Sequence, residues 1–191
     1  MTEQEINQVI TRQRKYFQTG ATLPVNRRIN ALRRLYAAVS GHEKEIHAAL
    51  KADLGKSNFE SYMCETGMVL EEIRYMIKHI PRFAADRRVR TPLAQFHSKS
   101  FVKPSPYGVV LIMSPWNYPF MLTLSPMVDA LAAGNTAVVK PSAYSPHTSA
   151  VIADILAQCF PSRYVAVVTG GRAENTCLLK EHFDYMFFTG S

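Results

Sequence analysis

GVVLIM (108–113) is a short, unbroken apolar run opened by glycine, and SPWNYPF (114–120) follows it directly. Such a run shows neither the 3.6-residue period of a helix nor the alternation of a half-exposed strand. It reads as a strand buried on both faces, the kind found in parallel sheets. Downstream, the same punctuation repeats. A helix-length stretch from Phe120 to Ala133 closes at Gly134-Asn135, and TAVVK (136–140) is a second strand. A helix from Pro146 to Phe160 leads to YVAVVTG (164–170), and one from Ala173 to His182 leads to YMFFTG (185–190). Strand and helix alternate with short links, which predicts a parallel sheet joined by right-handed crossovers. Ligands of such sheets bind beyond the carboxyl ends of the strands.

Upstream of Gly108 the pattern is different. Val25, Ile29, Leu32, Tyr36 and Val39 line one face of a helix closed by Gly41. A second helix runs from His42 to Leu54 and ends at Gly55. Ser57-Asn58-Phe59-Glu60 has the spacing of a capping box. Behind it Val69, Ile73, Met76 or Ile77, and Ile80 continue a stripe that Pro81 is expected to end. Residues 82–107 read as a basic connector and a hairpin, because QFHSKSFVKPSPYG (95–108) alternates polar and apolar positions. The expected fold class is therefore α/β. An N-terminal helical segment (1–81) and a hairpin extension (82–107) precede an incomplete Rossmann-like parallel sheet (108–191) with helices on both faces.

Composition narrows the function. The chain has 191 residues and is 47% hydrophobic, but no apolar run approaches the roughly 18–20 residues of a membrane-spanning helix. MTEQEINQVI lacks the basic flank and apolar centre of a signal peptide. Three widely spaced cysteines, Cys64, Cys159 and Cys177, suit neither a disulfide framework nor a zinc site. A cytoplasmic setting is expected. The net charge of +7 resides in residues 1–100, which hold 17 Lys/Arg against 10 Asp/Glu. Those charges interleave along helical faces without an aromatic platform, so nucleic-acid binding is not expected.

The strand ends hold the residues that could carry chemistry. In SPWNYPF, Asn117 offers an uncharged amide able to meet a developing oxyanion; its alternative is a turn residue capping the next helix. In KPSAYSP (140–146), Lys140 ends an apolar strand, where it reaches either a nucleotide or solvent. In TGGR (169–172), Gly170 and Gly171 permit close backbone approach. TGS (189–191) turns toward a helix N-terminus, an anion site by its free N–H groups and dipole. Neither G-x-G-x-x-G nor a Walker segment occurs.

SPWNYPF, GNTAVVKPS (134–142) and FFTGS (187–191) resemble, in order and spacing, signature segments of the aldehyde dehydrogenase superfamily. VLEEIRYMIKHIP (69–81) and VVTGG (167–171) look most like its class 3 branch, which takes fatty or aromatic aldehydes. The resemblance covers nearly the whole chain. It implies aldehyde oxidation to a carboxylic acid with NAD or NADP as cofactor. A cysteine thiolate forms a thiohemiacetal, hydride leaves to the nicotinamide, and a glutamate-activated water hydrolyses the thioester. By this resemblance Asn117 donates to the oxyanion and Tyr118 faces the aldehyde. Pro115 and Trp116 flank the nicotinamide, Lys140 hydrogen-bonds the adenosine ribose, and Ser142 and Gly170 belong to the cofactor site. Gly190 and Ser191 begin the pyrophosphate helix. It also implies a homodimer built partly from the hairpin when full length.

Two departures matter. The family often carries a glutamate three positions after the lysine, where it binds ribose and repels a 2′-phosphate; here Ala143 stands there, so NADP is expected beside NAD. The E-L-G-G-K and G-Q-x-C segments with the family's base and nucleophile are absent, and the three cysteines read as small buried residues. The chain therefore reads as the front part of such an enzyme, inactive alone. The alternatives are a noncatalytic fragment that binds nucleotide weakly or pairs with subunits, and an acyl-phosphate or acyl-CoA reductase of the same superfamily. The PWN asparagine favours the dehydrogenase over the reductase.

Overall fold

The structure, a computed structural model, describes residues 1–190. Its centre is a four-stranded parallel sheet of β3 (Val109–Met113), β4 (Thr136–Lys140), β5 (Val165–Val167) and β6 (Tyr185–Phe188). The spatial order is β5-β4-β3-β6, so the chain winds outward from β3 and then crosses to its other side. Register pairs Met113 with both Lys140 and Phe188, which brings three strand ends together.

The apolar run of β3 is explained by cover on both faces. Val110 and Ile112 pack with α6 (Met121–Ala133), α7 (Pro146–Cys159) and the helices before the sheet, within the larger core. Val109 and Leu111 face the other way, onto Ile6 and Ile10 of α1 (Glu3–Gln18) and Leu178 of α8 (Arg172–Lys180). The expectation of helices on both faces holds. The first helix is stitched to the sheet as well as packed on it. Gln13 donates from Nε2 to the carbonyls of Ala137 and Ser162 at 2.8 and 3.1 Å. Arg14 meets Asp184 at 3.0 Å, and Asp184 accepts from Val109 N at 2.7 Å.

The remaining helices are α2 (Val25–Gly41), α3 (Glu43–Leu54), the single turn α4 (Asn58–Ser61) and α5 (Gly67–Phe83). Ser57 accepts from Glu60 N at 3.2 Å, which is the serine half of the expected capping box; the return bond from Ser57 N to the Glu60 side chain is not formed. Residues 62–66 form a π-helical turn between α4 and α5. The stripe expected to end at Pro81 does not stop there, since α5 continues to Phe83. A proline removes its own N–H bond, but later amides still find carbonyls; Ala84 N reaches Ile80 O at 2.9 Å. The hairpin also differs from expectation. Its arms are β1 (Arg87–Val89) and β2 (Ser100–Val102), and the expected alternating stretch from 95 holds only the second arm, after a 3-10 turn at 93–95 and a turn at 96–97. Alternation alone, without cross-strand partners, misplaced the first arm. In β6 every residue is exposed despite its apolar composition, and Tyr185 stacks on Tyr107 with ring centroids 5.0 Å apart.

Asp129 on α6 has a titration worth testing. Partial burial, and then the neighbouring Glu72 carboxylate, raise its pKa to about 7. A raised carboxyl pKa means that the folded chain holds the proton more tightly than the unfolded one. Stability should therefore fall as pH rises from about 4 through 7. Denaturant titrations of the chain and of Asp129→Asn at pH 5 and 8 should show the larger fall in the chain itself. Equal falls would remove Asp129 as the cause.

Candidate active site

The site begins where β3 ends. Ser114 is buried, its Oγ hydrogen-bonds Thr123 Oγ1, and Thr123 Oγ1 in turn donates to the carbonyl of Pro119. The 114–120 loop is thereby tied to the first turn of α6, and Pro115 and Pro119 stiffen it. Asn117 and Tyr118 lie on its exposed side, and Trp116 is 53% exposed. Asn117 does not cap α6. Phe120 occupies the cap position without a side-chain cap bond. Glu65 supplies the acceptor instead, its Oε2 taking the N–H groups of Phe120 and Met121 at 3.0 and 2.8 Å. The alternative role for Asn117 is thus filled by another residue, and its amide is left to face outward.

Glu65 is fully buried, and its other oxygen accepts from Lys56 Nζ at 2.5 Å. Burial pushes the Glu65 carboxyl upward, opposed by the Lys56 ammonium and the two amides. Lys56 Nζ also donates to the Asn117 carbonyl at 3.0 Å and sits 4.1 Å from the centre of the Tyr118 ring. This pair, 7% and 0% exposed, was not singled out from the sequence. A lysine and a glutamate nine positions apart look like solvated surface unless the turn between them is known to point both inward.

Beside the loop lies a cleft of about 360 Å³ over the carboxyl ends of β3, β4 and β6. Lys140, Ser142 and Gly170 all line it, as expected, together with Met113, Arg172 and Asn175. Ala143 lines it too, at the position where the family often has an acid. Lys140 is only 3% exposed and donates to the Pro141 carbonyl at 2.8 Å. Burial holds its amine below the ordinary lysine range, with Glu174 pulling the other way. Gly170 has φ +134°, a backbone that a side chain rarely adopts. The N–H of Gly171 is already taken by Glu174 Oε2 at 2.8 Å. Asn175 Oδ1 is buried with no hydrogen-bond partner among the described residues, an acceptor that a hydroxyl or amine of a ligand would satisfy. Sequence reading missed Asn175, whose position on α8 gives no local signal.

Not every expected residue joins this cleft. Pro115, Trp116, Asn117 and Tyr118 stay on the loop leaving Ser114, and Phe188 rather than Gly190 reaches the lining. Gly190 has φ +150° and Ser191 lies outside the described residues. None of the three cysteines lines the cleft. Cys159 is buried at the end of α7, and burial pushes its thiol up, the opposite of activation. Cys64 is half-buried in the π-helical turn and Cys177 half-buried on α8.

An open parallel sheet whose first strand feeds a proline-stiffened loop, beside a glycine-walled cleft at the strand ends, has the layout of α/β proteins that take ligands beyond the carboxyl ends of their strands. The chain belongs to the aldehyde dehydrogenase family, whose model matches residues 1–191. It is 43% identical over 188 residues to the dimeric NADP-preferring aldehyde dehydrogenase of Canis lupus familiaris, covering 98% of this chain and 41% of that protein. It is 40% identical over 176 residues to the 4,4'-diaponeurosporen-aldehyde dehydrogenase of Staphylococcus aureus, covering 92% of this chain and 38% of that protein. The substrate-bound Staphylococcus aureus AldH superposes with a TM-score of 0.94 at 39% identity, over 97% of this chain and 41% of that one. The chain thus spans 38 to 41% of the length of these relatives.

Proposed function

We propose that this chain contributes the oxyanion donor and the adenosine side of the cofactor cleft to an NAD(P)-dependent oxidation of an apolar aldehyde to its acid. The observation that carries this reading is the freed amide of Asn117. Its loop is anchored by Glu65 and Lys56, so the donor is held without being consumed by a cap. An uncharged amide is suited to the task, because it stabilises a developing alkoxide without titrating. The residues present fit the adenosine part of a dinucleotide. Lys140 and Ser142 bring donors, Asn175 an unmet acceptor, and Gly170 a wall with no side chain. When bound, a nicotinamide cofactor supplies acceptance of hydride from the aldehyde carbon. With Ala143 in place of an acid, nothing at that position repels a 2′-phosphate, which supports use of NADP beside NAD.

Nucleophilic attack needs a thiolate near the donor, and no cysteine here has the environment for it. We therefore expect the 191-residue chain to form no NAD(P)H from aldehydes. Turnover that disappears on changing Cys159 or Cys177 would contradict this. The family reading favours a cytoplasmic homodimer, with the 95–107 region near the interface. Among the described residues no helix is long and apolar enough to cross a membrane.

A further inference from the structure

Ser114 and Thr123 tie the β3 end of the donor loop. Its middle and far end are held by residues from far earlier in the chain, and both of those holds pass through one buried ion pair. Glu65 divides its carboxylate: Oε1 takes the Lys56 ammonium and Oε2 takes the amides of Phe120 and Met121. Lys56 uses its remaining donors on the Asn117 carbonyl and against the face of Tyr118. The backbone of the donor residue and of the turn that follows it, at 117, 120 and 121, is thereby clamped to a single charge pair.

The local fold is shaped to make this possible. Glu65 lies in the π-helical turn, where one extra residue per turn redirects side chains; such turns recur at functional sites. The turn also runs directly into Gly67, where a Cβ would lie 2.7 Å from the Tyr62 carbonyl. A plain helix cap would need only a serine or aspartate at position 120. Here phenylalanine occupies that position, and the cap comes from a carboxylate 55 residues earlier.

We propose that Lys56 and Glu65 are positioning residues for the oxyanion donor, acting on catalysis through the backbone of Asn117 and never touching the substrate. This rests on the reading of Asn117 given above. Misplacing such a donor by about 1 Å can cost about a hundredfold in rate, so a dedicated clamp has a purpose that ordinary packing does not.

The test uses the 191-residue chain, ¹⁵N-labelled, with Glu65→Gln and Lys56→Gln variants. Trp116 is the one tryptophan and reports the loop directly. In Glu65→Gln the amides of Phe120 and Met121 should exchange about tenfold faster or more. Acrylamide quenching of Trp116 should rise, and the side-chain amide resonances of Asn117 should move toward averaged values. Lys56→Gln should move the Asn117 and Trp116 signals with less effect on the two amides. A drop in stability with Trp116 and Asn117 unchanged would reduce the pair to a structural staple and overturn the proposal. If a variant does not fold, the unaltered chain decides: Phe120 and Met121 amides exchanging as fast as that of Asn117 also overturn it. The underlying reading fails separately. Asn117→Ala should leave both amides protected, and its kinetic effect in a form of the protein bearing the family's cysteine tests the donor role alone.

Discussion

Glu65→Ala is expected to lower the unfolding free energy of this chain by about 3–5 kcal/mol, the cost of leaving a buried charge without its partner. That is a large part of the roughly 5–15 kcal/mol that keeps an ordinary domain folded. Three contacts go at once: the Lys56 ammonium and the N–H groups of Phe120 and Met121. Lys56, only 7% exposed, can reach water only by giving up the Asn117 carbonyl and the Tyr118 ring. Coupling between the partners provides an internal check. The Lys56→Met and Glu65→Gln double variant should lose less than the two single losses added together, because the second change removes a charge already stranded. Urea denaturation of the four proteins measures this. A loss under about 1 kcal/mol for Glu65→Ala would place the pair among ordinary surface ion pairs.

Asn117→Ala acts on chemistry rather than folding. In a form of the protein that carries the family's cysteine, kcat should fall about a hundredfold, near 3 kcal/mol of transition-state stabilisation. KM should stay within about threefold, since the interaction strengthens only as the oxyanion develops. The folded loop should survive, because the side chain is exposed and the helix cap belongs to Glu65. Steady-state kinetics with one apolar aldehyde decides the matter. An unchanged kcat would remove Asn117 from the oxyanion site.

The elements legible in the sequence are those whose residues answer to both neighbours at once. β3 is apolar throughout, and β4 is apolar between Thr136 and Lys140, because helices cover both faces of the sheet, and that leaves an unmistakable run. Lys140 and Gly170 were readable because strand ends are where such sheets take ligands, Ser142 came only with the family resemblance, and all three do line one cleft. The misreadings have physical causes. Pro81 looked like a terminator because a proline is judged by the bond it loses, while the helix responds to the bonds its neighbours keep. The hairpin arm at Arg87–Val89 is exposed and short, so no burial pattern marks it. The Lys56–Glu65 clamp was invisible because its partners at 117–121 are distant in sequence and bind it chiefly through backbone groups, which leave no trace in residue type.

The central claim is that the strand ends around Lys140 form the adenosine side of an NAD(P) cleft. Titrating NADP⁺ and NAD⁺ into the ¹⁵N-labelled chain and following amide shifts tests it most directly. The expected result is saturable shifts at Lys140, Ser142, Gly170 and Gly171, with the two dinucleotides binding within about tenfold of each other, a gap of about 1.4 kcal/mol. Shifts confined to other surfaces, or none at these four residues in a folded sample, would contradict it.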